Sequence, residues 1–131
     1  MMSKILVVDD ANDLHYVFSV VLERDGHQVL CVSSTDTVRS ILFAFLPELI
    51  IMDVLLKGED GRELCKEIKE KYNKDIAIIL MSASNQFLKD YEEWNADAVI
   101  EKPFDIHVVS KIVNQVLNGR QNICIASGYI N

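Results

Sequence analysis

Residues 49–61 read LIIMDVLLKGEDG, a continuous apolar run that stops at Asp53 and gives way to a loop ending in Asp60 and Gly61. A carboxylate standing directly after such a run is unusual, because charged side chains are seldom placed at the edge of a core without a partner. Taken alone, Asp53 reads as a polar residue that ends a strand and opens a turn. Three further stretches repeat the arrangement. ILVV at 5–8 runs into Asp9 and Asp10, IAIILM at 76–81 into Ser82, and AVI at 98–100 through Glu101 into Lys102 and Pro103. Four strand-like runs thus deliver polar groups at their C-terminal ends.

Between these runs the apolar residues change period. Leu14, Val17, Phe18, Val21 and Leu22 form one helical stripe, closed by Asp25 and Gly26. Val29 to Val32 is a further short strand, and Val38, Ile41, Leu42 and Phe45 are a second stripe, with Ser34 as its cap and Pro47 as its stop. After Gly61 a helix carries Leu64, Cys65, Ile68 and Tyr72 on one face. A less regular helix, capped by Asn85, places Phe87, Leu88 and Tyr91, and its weak stripe suggests a loosely held element. The last helix, with Val108, Val109, Ile112, Val113, Val116 and Leu117 in register, ends at Asn118 and Gly119. Strand and helix therefore alternate five times. Short continuous apolar strands with amphipathic helices between them predict an α/β fold: a five-stranded parallel sheet covered on both faces, with right-handed crossovers. Residues 1–119 form this domain, and residues 120–131, RQNICIASGYIN, fall outside the pattern as a tail or the start of a linker.

Composition narrows the functional classes. A chain of 131 residues, half of them hydrophobic, buries a core without disulfide or metal staples. Thirteen Lys and Arg against twenty Asp and Glu leave no basic footprint for nucleic acid. The three cysteines, Cys31, Cys65 and Cys124, are widely spaced without a CxxC pair, so neither a disulfide framework nor a zinc site is suggested, and Cys31 and Cys65 read as buried free thiols. No signal peptide pattern opens the chain, and its longest apolar stretch, 41–56, is broken by Pro47, Glu48 and Asp53. A reduced, cytoplasmic, soluble domain is expected.

In open parallel sheets ligands bind beyond the carboxyl ends of the strands, where strand order reverses. With the order 2-1-3-4-5, the first and third strands are neighbours, so Asp9, Asp10 and Asp53 share a pocket with Ser82 and Lys102 on its rim. Clustered carboxylates repel one another unless a cation sits among them. A hard, oxygen-ligated ion such as Mg2+ suits them, and it leaves positions open for phosphate. With Lys102 as further positive charge, such a pocket can hold a phosphoryl group against Asp53.

These residues, in this order and spacing, are those of a known family. The acidic pair Asp9-Asp10, Asp53 in a DxxLxxxDG pattern ending at Asp60-Gly61, Ser82 followed by the small Ala83, and Lys102-Pro103-Phe104 together resemble the receiver domain of two-component response regulators, over residues 4–119. The resemblance implies a flavodoxin-like receiver fold and a set of roles. Asp53 would be the nucleophile that takes a phosphoryl group from a phosphohistidine on a sensor histidine kinase or phosphotransfer protein. Asp10, Asp53 and the Leu55 carbonyl would ligate magnesium, with Asp9 holding it partly through water. Lys102 and Ser82 would each bind a phosphoryl oxygen, and Pro103 would follow a cis peptide. The chain would be a signalling phosphoacceptor that assists its own phosphorylation and dephosphorylation, not an enzyme acting on other substrates. Its output would be a downstream protein or fused output domain, with homodimerisation through the face of the fourth helix, fifth strand and fifth helix also implied. Kinase contacts would fall on the exposed side of the first helix, at His15, Tyr16 and Ser19.

Three residues depart from the family pattern. Val99 replaces the usual aromatic three residues before the lysine, so no swinging ring can operate there; Lys57 replaces a common proline, and Asn95 a frequent glycine. Rival readings fail on named residues. An FMN binder needs a phosphate loop where Asp9-Asp10 stand, and a haloacid-dehalogenase-type phosphatase needs an acid where Leu55 stands. The remaining alternative is a phosphate-independent pseudo-receiver, against which the complete set of polar residues argues. His15, His27 and His107 read as surface residues, and Lys66 to Lys74 as a solvated helix face with i,i+4 pairing.

Overall fold

The computed structural model describes residues 2–119 and 123–124. β1 (Lys4–Val8), β2 (Gln28–Val32) and β3 (Leu49–Asp53) are followed by a small hairpin of β4 (Leu55–Leu56) and β5 (Glu59–Asp60), and then by β6 (Ala77–Ser82) and β7 (Ala98–Glu101). The main sheet runs β2-β1-β3-β6-β7, all pairs parallel. This is the order expected from sequence. Successive strand residues alternate between two core layers, so each buried strand is apolar throughout. Leu6, Ile50, Ile78 and Leu80 face α2 (Thr35–Phe45), α3 (Gly61–Glu67) and α4 (Asn85–Leu88), while Ile5, Val7, Ile51 and Ile79 face α1 (Asn12–Arg24) and α5 (Ile106–Gly119).

A sixth strand, β8 (Ile123–Cys124), pairs with β7 at the sheet edge; the sequence pattern gave no strand there. Because α5 lies on the α1 side, this last crossover has the opposite hand to the other four, the rare sense for a βαβ unit. The rest of the expected tail, including residues 125–131, lies outside the described residues.

Local signals account for most element ends. Ser34 accepts the Thr37 N–H at 3.3 Å and caps α2, which stops at Leu46, a left-handed residue (φ 54°), before Pro47. Two boundaries differ from the sequence reading. α3 passes into a π-helical turn at Ile68–Tyr72, closed by the Asn73 N–H on the Ile68 carbonyl at 2.9 Å. The expected fourth helix is a single turn whose N-cap position is Ser84 rather than Asn85; after the left-handed Asp90 (φ 52°) comes a 3-10 turn, Tyr91–Trp94. Asn95 then adopts φ 65°. That conformation explains the frequent glycine, because asparagine is among the few other residues that take it readily.

Three surface expectations are corrected. His27 is only 6% exposed and accepts the Ser3 N–H on Nδ1, and burial pushes its pKa below the usual histidine value. Of the charges of 66–74, Lys66, Glu70, Lys71 and Lys74 are exposed as expected, but two pair across elements: Lys69 reaches Asp97 at 2.6 Å, and Glu67 receives Arg39. His15 is half-buried, and its Nε2–H donates to the Asp9 carbonyl, which fixes the tautomer because a carbonyl can only accept. Ser19 is likewise half-buried against Cys31, so of the three suggested kinase-contact residues only Tyr16 is well exposed. The cysteine readings hold for Cys65, buried with its thiol pushed up to about 12, and in part for half-buried Cys31; both are free.

Candidate functional site

β1, β3, β6 and β7 end at one edge of the sheet, and their registers set the depth of each polar residue. Asp53 lies opposite Met81, one residue before Ser82, which lies opposite Glu101, one residue before Lys102. Asp9 and Ser82 are each 1% exposed and Asp53 is 8% exposed, so these polar groups sit inside the fold's upper rim.

The Lys102 ammonium joins the carboxylates. Nζ donates to Asp53 Oδ2 at 2.5 Å and to Asp9 Oδ2 at 3.0 Å. The remaining oxygens are also engaged: Asp53 Oδ1 accepts the Leu55 N–H at 3.0 Å, and Asp9 Oδ1 accepts the Ala11 N–H at 2.8 Å at the start of α1. The Lys102–Pro103 peptide is cis, as the resemblance implied, and the Lys102 N–H donates to the Ser82 carbonyl at 2.9 Å. The Ser82 hydroxyl accepts the Ser84 N–H at 3.0 Å, which leaves its own proton available. Asp10 is exposed, and its carboxylate has no partner among the described residues. Leu55 exposes its side chain and contributes its backbone to the loop.

Electrostatics follow from this packing. Burial is the larger influence on Asp53 and pushes its carboxyl above the usual range, against the pull of Lys102 and the Leu55 N–H. Burial also disfavours the Lys102 ammonium, but its hydrogen bonds to Asp53 and Asp9 outweigh that and raise its pKa. An ion pair alone would lower the acid as it raises the base; here a second carboxylate and desolvation hold the acid up. The direction with the clearer cause is the lysine's, which stays charged between two carboxylates.

The donor chemistry suits a hard cation, since carboxylates and a loop backbone carbonyl are the ligands such ions take. Among the described residues, however, no three His, Cys, Asp or Glu side chains converge as a metal site. Asp9 and Asp53 share Lys102, and Asp10 stands apart at the surface.

Gly61 has a role that the sequence pattern marked without explaining. A Cβ built on it would lie 2.1 Å from the Asp53 carbonyl oxygen, and its N–H donates to the Val54 carbonyl at 2.8 Å. Only glycine lets the start of α3 pass so close behind Asp53. Two arginines then brace the intervening hairpin. Arg39 on α2 reaches Glu59 at 2.6 Å and Glu67 at 2.9 Å, and Arg62 reaches Asp60 at 2.6 Å. The Arg39 pairings were not expected from sequence, for Arg39 lies 20 residues from Glu59 and 28 from Glu67.

A family model for the response regulator receiver domain matches residues 5–114. The chain belongs to the response regulator receiver family. The receiver fold is shared with the chemotaxis response regulator CheY4 of Vibrio cholerae, at 22% identity and a TM-score of 0.81 over 88% of this chain and 99% of that one. A signal receiver domain of a signal transduction histidine kinase from Syntrophus aciditrophicus is 29% identical, with a TM-score of 0.79 over 89% of this chain and 91% of its own. DrrB, an OmpR/PhoB homolog of Thermotoga maritima, is 26% identical with a TM-score of 0.81, and the match takes in 93% of this receiver but 55% of DrrB.

Proposed function

We propose that this receiver accepts a phosphoryl group on Asp53 from a phosphohistidine of a sensor histidine kinase or phosphotransfer protein, in a magnesium-dependent reaction, and that the phosphorylated form binds its partners differently. The observation that carries this reading is the Lys102 ammonium 2.5 Å from Asp53 Oδ2 and 3.0 Å from Asp9 Oδ2. A carboxylate held at a strand end against a cation is a nucleophile with a charge partner ready for the incoming oxygens.

Asp10 and Asp53, the Leu55 carbonyl, and Asp9 partly through water would hold the magnesium ion, which when bound offsets charge on the phosphoryl oxygens. In the transfer an Asp53 carboxylate oxygen attacks phosphorus. The new O–P bond forms as the P–N bond to the donor imidazole breaks, and the bonding pair leaves with the imidazole. Lys102 pairs with one phosphoryl oxygen and the Ser82 hydroxyl donates to another. The chain turns over no substrate beyond its own phosphorylation and hydrolysis. Residues 1–119 act as this domain in the cytoplasm, with 120–131 as a tail or the start of a linker, and the response reaches a downstream protein, a fused output domain or a second copy through the α4–β7–α5 face. No helix among the described residues is long and apolar enough to cross a membrane.

Intact mass after incubation with acetyl phosphate tests the reading. A single phosphoryl adduct is expected for the native chain with magnesium, and none without magnesium or in Asp53→Asn. A folded native chain that takes no adduct from any donor would sink it.

A further inference from the structure

Arg62 does more than close an ion pair. Its Nε donates to Asp60 Oδ1 at 3.0 Å and Nη2 to Asp60 Oδ2 at 2.6 Å, while the same guanidinium packs 4.8 Å from the Phe87 ring centroid and 5.1 Å from that of Trp94. Asp60 belongs to the hairpin that follows Asp53; Phe87 belongs to α4, and Trp94 to the 3-10 turn. One planar cation therefore fastens the acceptor loop to both pieces of the β6–β7 connection, using its fork for the carboxylate and its faces for the rings.

Two short chains of contact run from the pocket to this point. The first passes from the Asp53 carbonyl to Gly61, packed directly against it, and to its neighbours Asp60 and Arg62. The second passes from the Ser82 hydroxyl to the Ser84 N–H at 3.0 Å, and from the Ser84 carbonyl to the Phe87 N–H at 3.1 Å. They meet at the Arg62–Phe87 contact. Meanwhile Val99 is a small core side chain, 2% exposed, and offers no ring that could move.

We propose that the Arg62 clasp with Asp60, Phe87 and Trp94 is the joint at which the state of the Asp53 pocket sets the position of α4 and the 3-10 turn. This rests on the phosphoacceptor reading and adds its route of response. If Ser82 turns toward a phosphoryl oxygen, the 82–84 loop draws on Phe87 while Asp60 keeps Arg62 in place, so the ring contacts shift against a fixed cation.

The chain has one tryptophan, so its emission reports on the clasp directly. Acetyl phosphate and magnesium are added to the full native chain, to Arg62→Met and to Arg62→Lys, with intact mass and Trp94 emission recorded on the same samples and circular dichroism confirming the fold. The native chain is expected to gain the adduct and change its emission. Arg62→Met should gain the adduct and lose most of that change, and Arg62→Lys, which keeps the charge without the flat fork, should retain part of it. A native-sized change in Arg62→Met, or a native adduct with no change in emission, overturns the proposal. Should Arg62→Met fail to fold, an undiminished response in Arg62→Lys overturns it instead. A native chain without adduct removes the phosphoacceptor reading itself, and the mass record separates that failure from the others.

Discussion

Between β3 and α3 the chain makes an antiparallel hairpin whose acidic residues are each gripped by an arginine, with Gly61 packed against the Asp53 carbonyl. Between β6 and β7 it makes one turn of helix without a side-chain cap, a left-handed aspartate, a 3-10 turn and a left-handed asparagine. The two connections are neighbours, since Arg62 touches both. The first is fixed by close packing and paired charge, which would suit the proposed phosphoacceptor, because transfer to phosphorus depends on position. The second consists of two single turns broken by left-handed residues, without the side-chain cap that fixes the first. On the phosphoacceptor reading the acceptor would have to be held still while the reporting surface moves, and this chain would divide those tasks between adjacent loops.

The sharpest way to break the contrast is Gly61→Ala. Its methyl would have to displace the backbone of Asp53 or α3, so a loss of about 3 kcal/mol or more in urea unfolding is expected, together with loss of the adduct. Retention of native stability would mean the close approach is not a constraint.

A smaller effect is expected for Arg39→Met, which removes a forked cation shared by two carboxylates that are each about a quarter exposed. A loss of about 1 kcal/mol is appropriate to so partly solvated a network. Its pH signature is more specific. Hydrogen bonds from Arg39 hold Glu59 and Glu67 below their ordinary value of 4.5, so their contribution is present above that value and lost as pH falls through the lowered ones. The native unfolding free energy should decline over this acid range more steeply than the variant's. Parallel curves would show that the network does not brace the hairpin.

The smallest effects belong to the other connection. Asp90→Gly and Asn95→Gly place glycine where φ is already 52° and 65°, and each should change stability by no more than about 0.5 kcal/mol in the same assay. A large loss at either would show that the β6–β7 connection is held as firmly as the hairpin.

What the sequence made legible follows the same division. Strand order and the convergence of Asp9, Asp53, Ser82 and Lys102 were readable because buried parallel strands are continuous apolar runs and the polar residues stand at their ends. The cis Lys102–Pro103 peptide came with the resemblance. The burial of His27, the grip of Arg39 on Glu59 and Glu67 and the packing of Arg62 on Phe87 and Trp94 were not, since each depends on partners brought together only by the fold. The fourth helix is shorter than its spacing implies for a local reason: Phe87, Leu88 and Tyr91 continue a helical period, but Asp90 between them is left-handed. Side-chain periodicity does not register a reversal of one backbone angle.

Lys102 also has a consequence at long range. It is a single cation sunk among carboxylates in a chain of net charge −7. At short distance a phosphate meets that ammonium; from farther out it meets the repulsive field of the whole molecule, screened over about 8 Å at physiological ionic strength. If Asp53 accepts a phosphoryl group as proposed, small anionic donors would be slowed on approach, whereas a protein presenting its phosphoryl group inside a basic rim would be steered in. On the phosphoacceptor reading, the acidity of the surface would work as a kinetic filter on donors, favouring delivery by a complementary partner over chance encounter with free phosphate compounds.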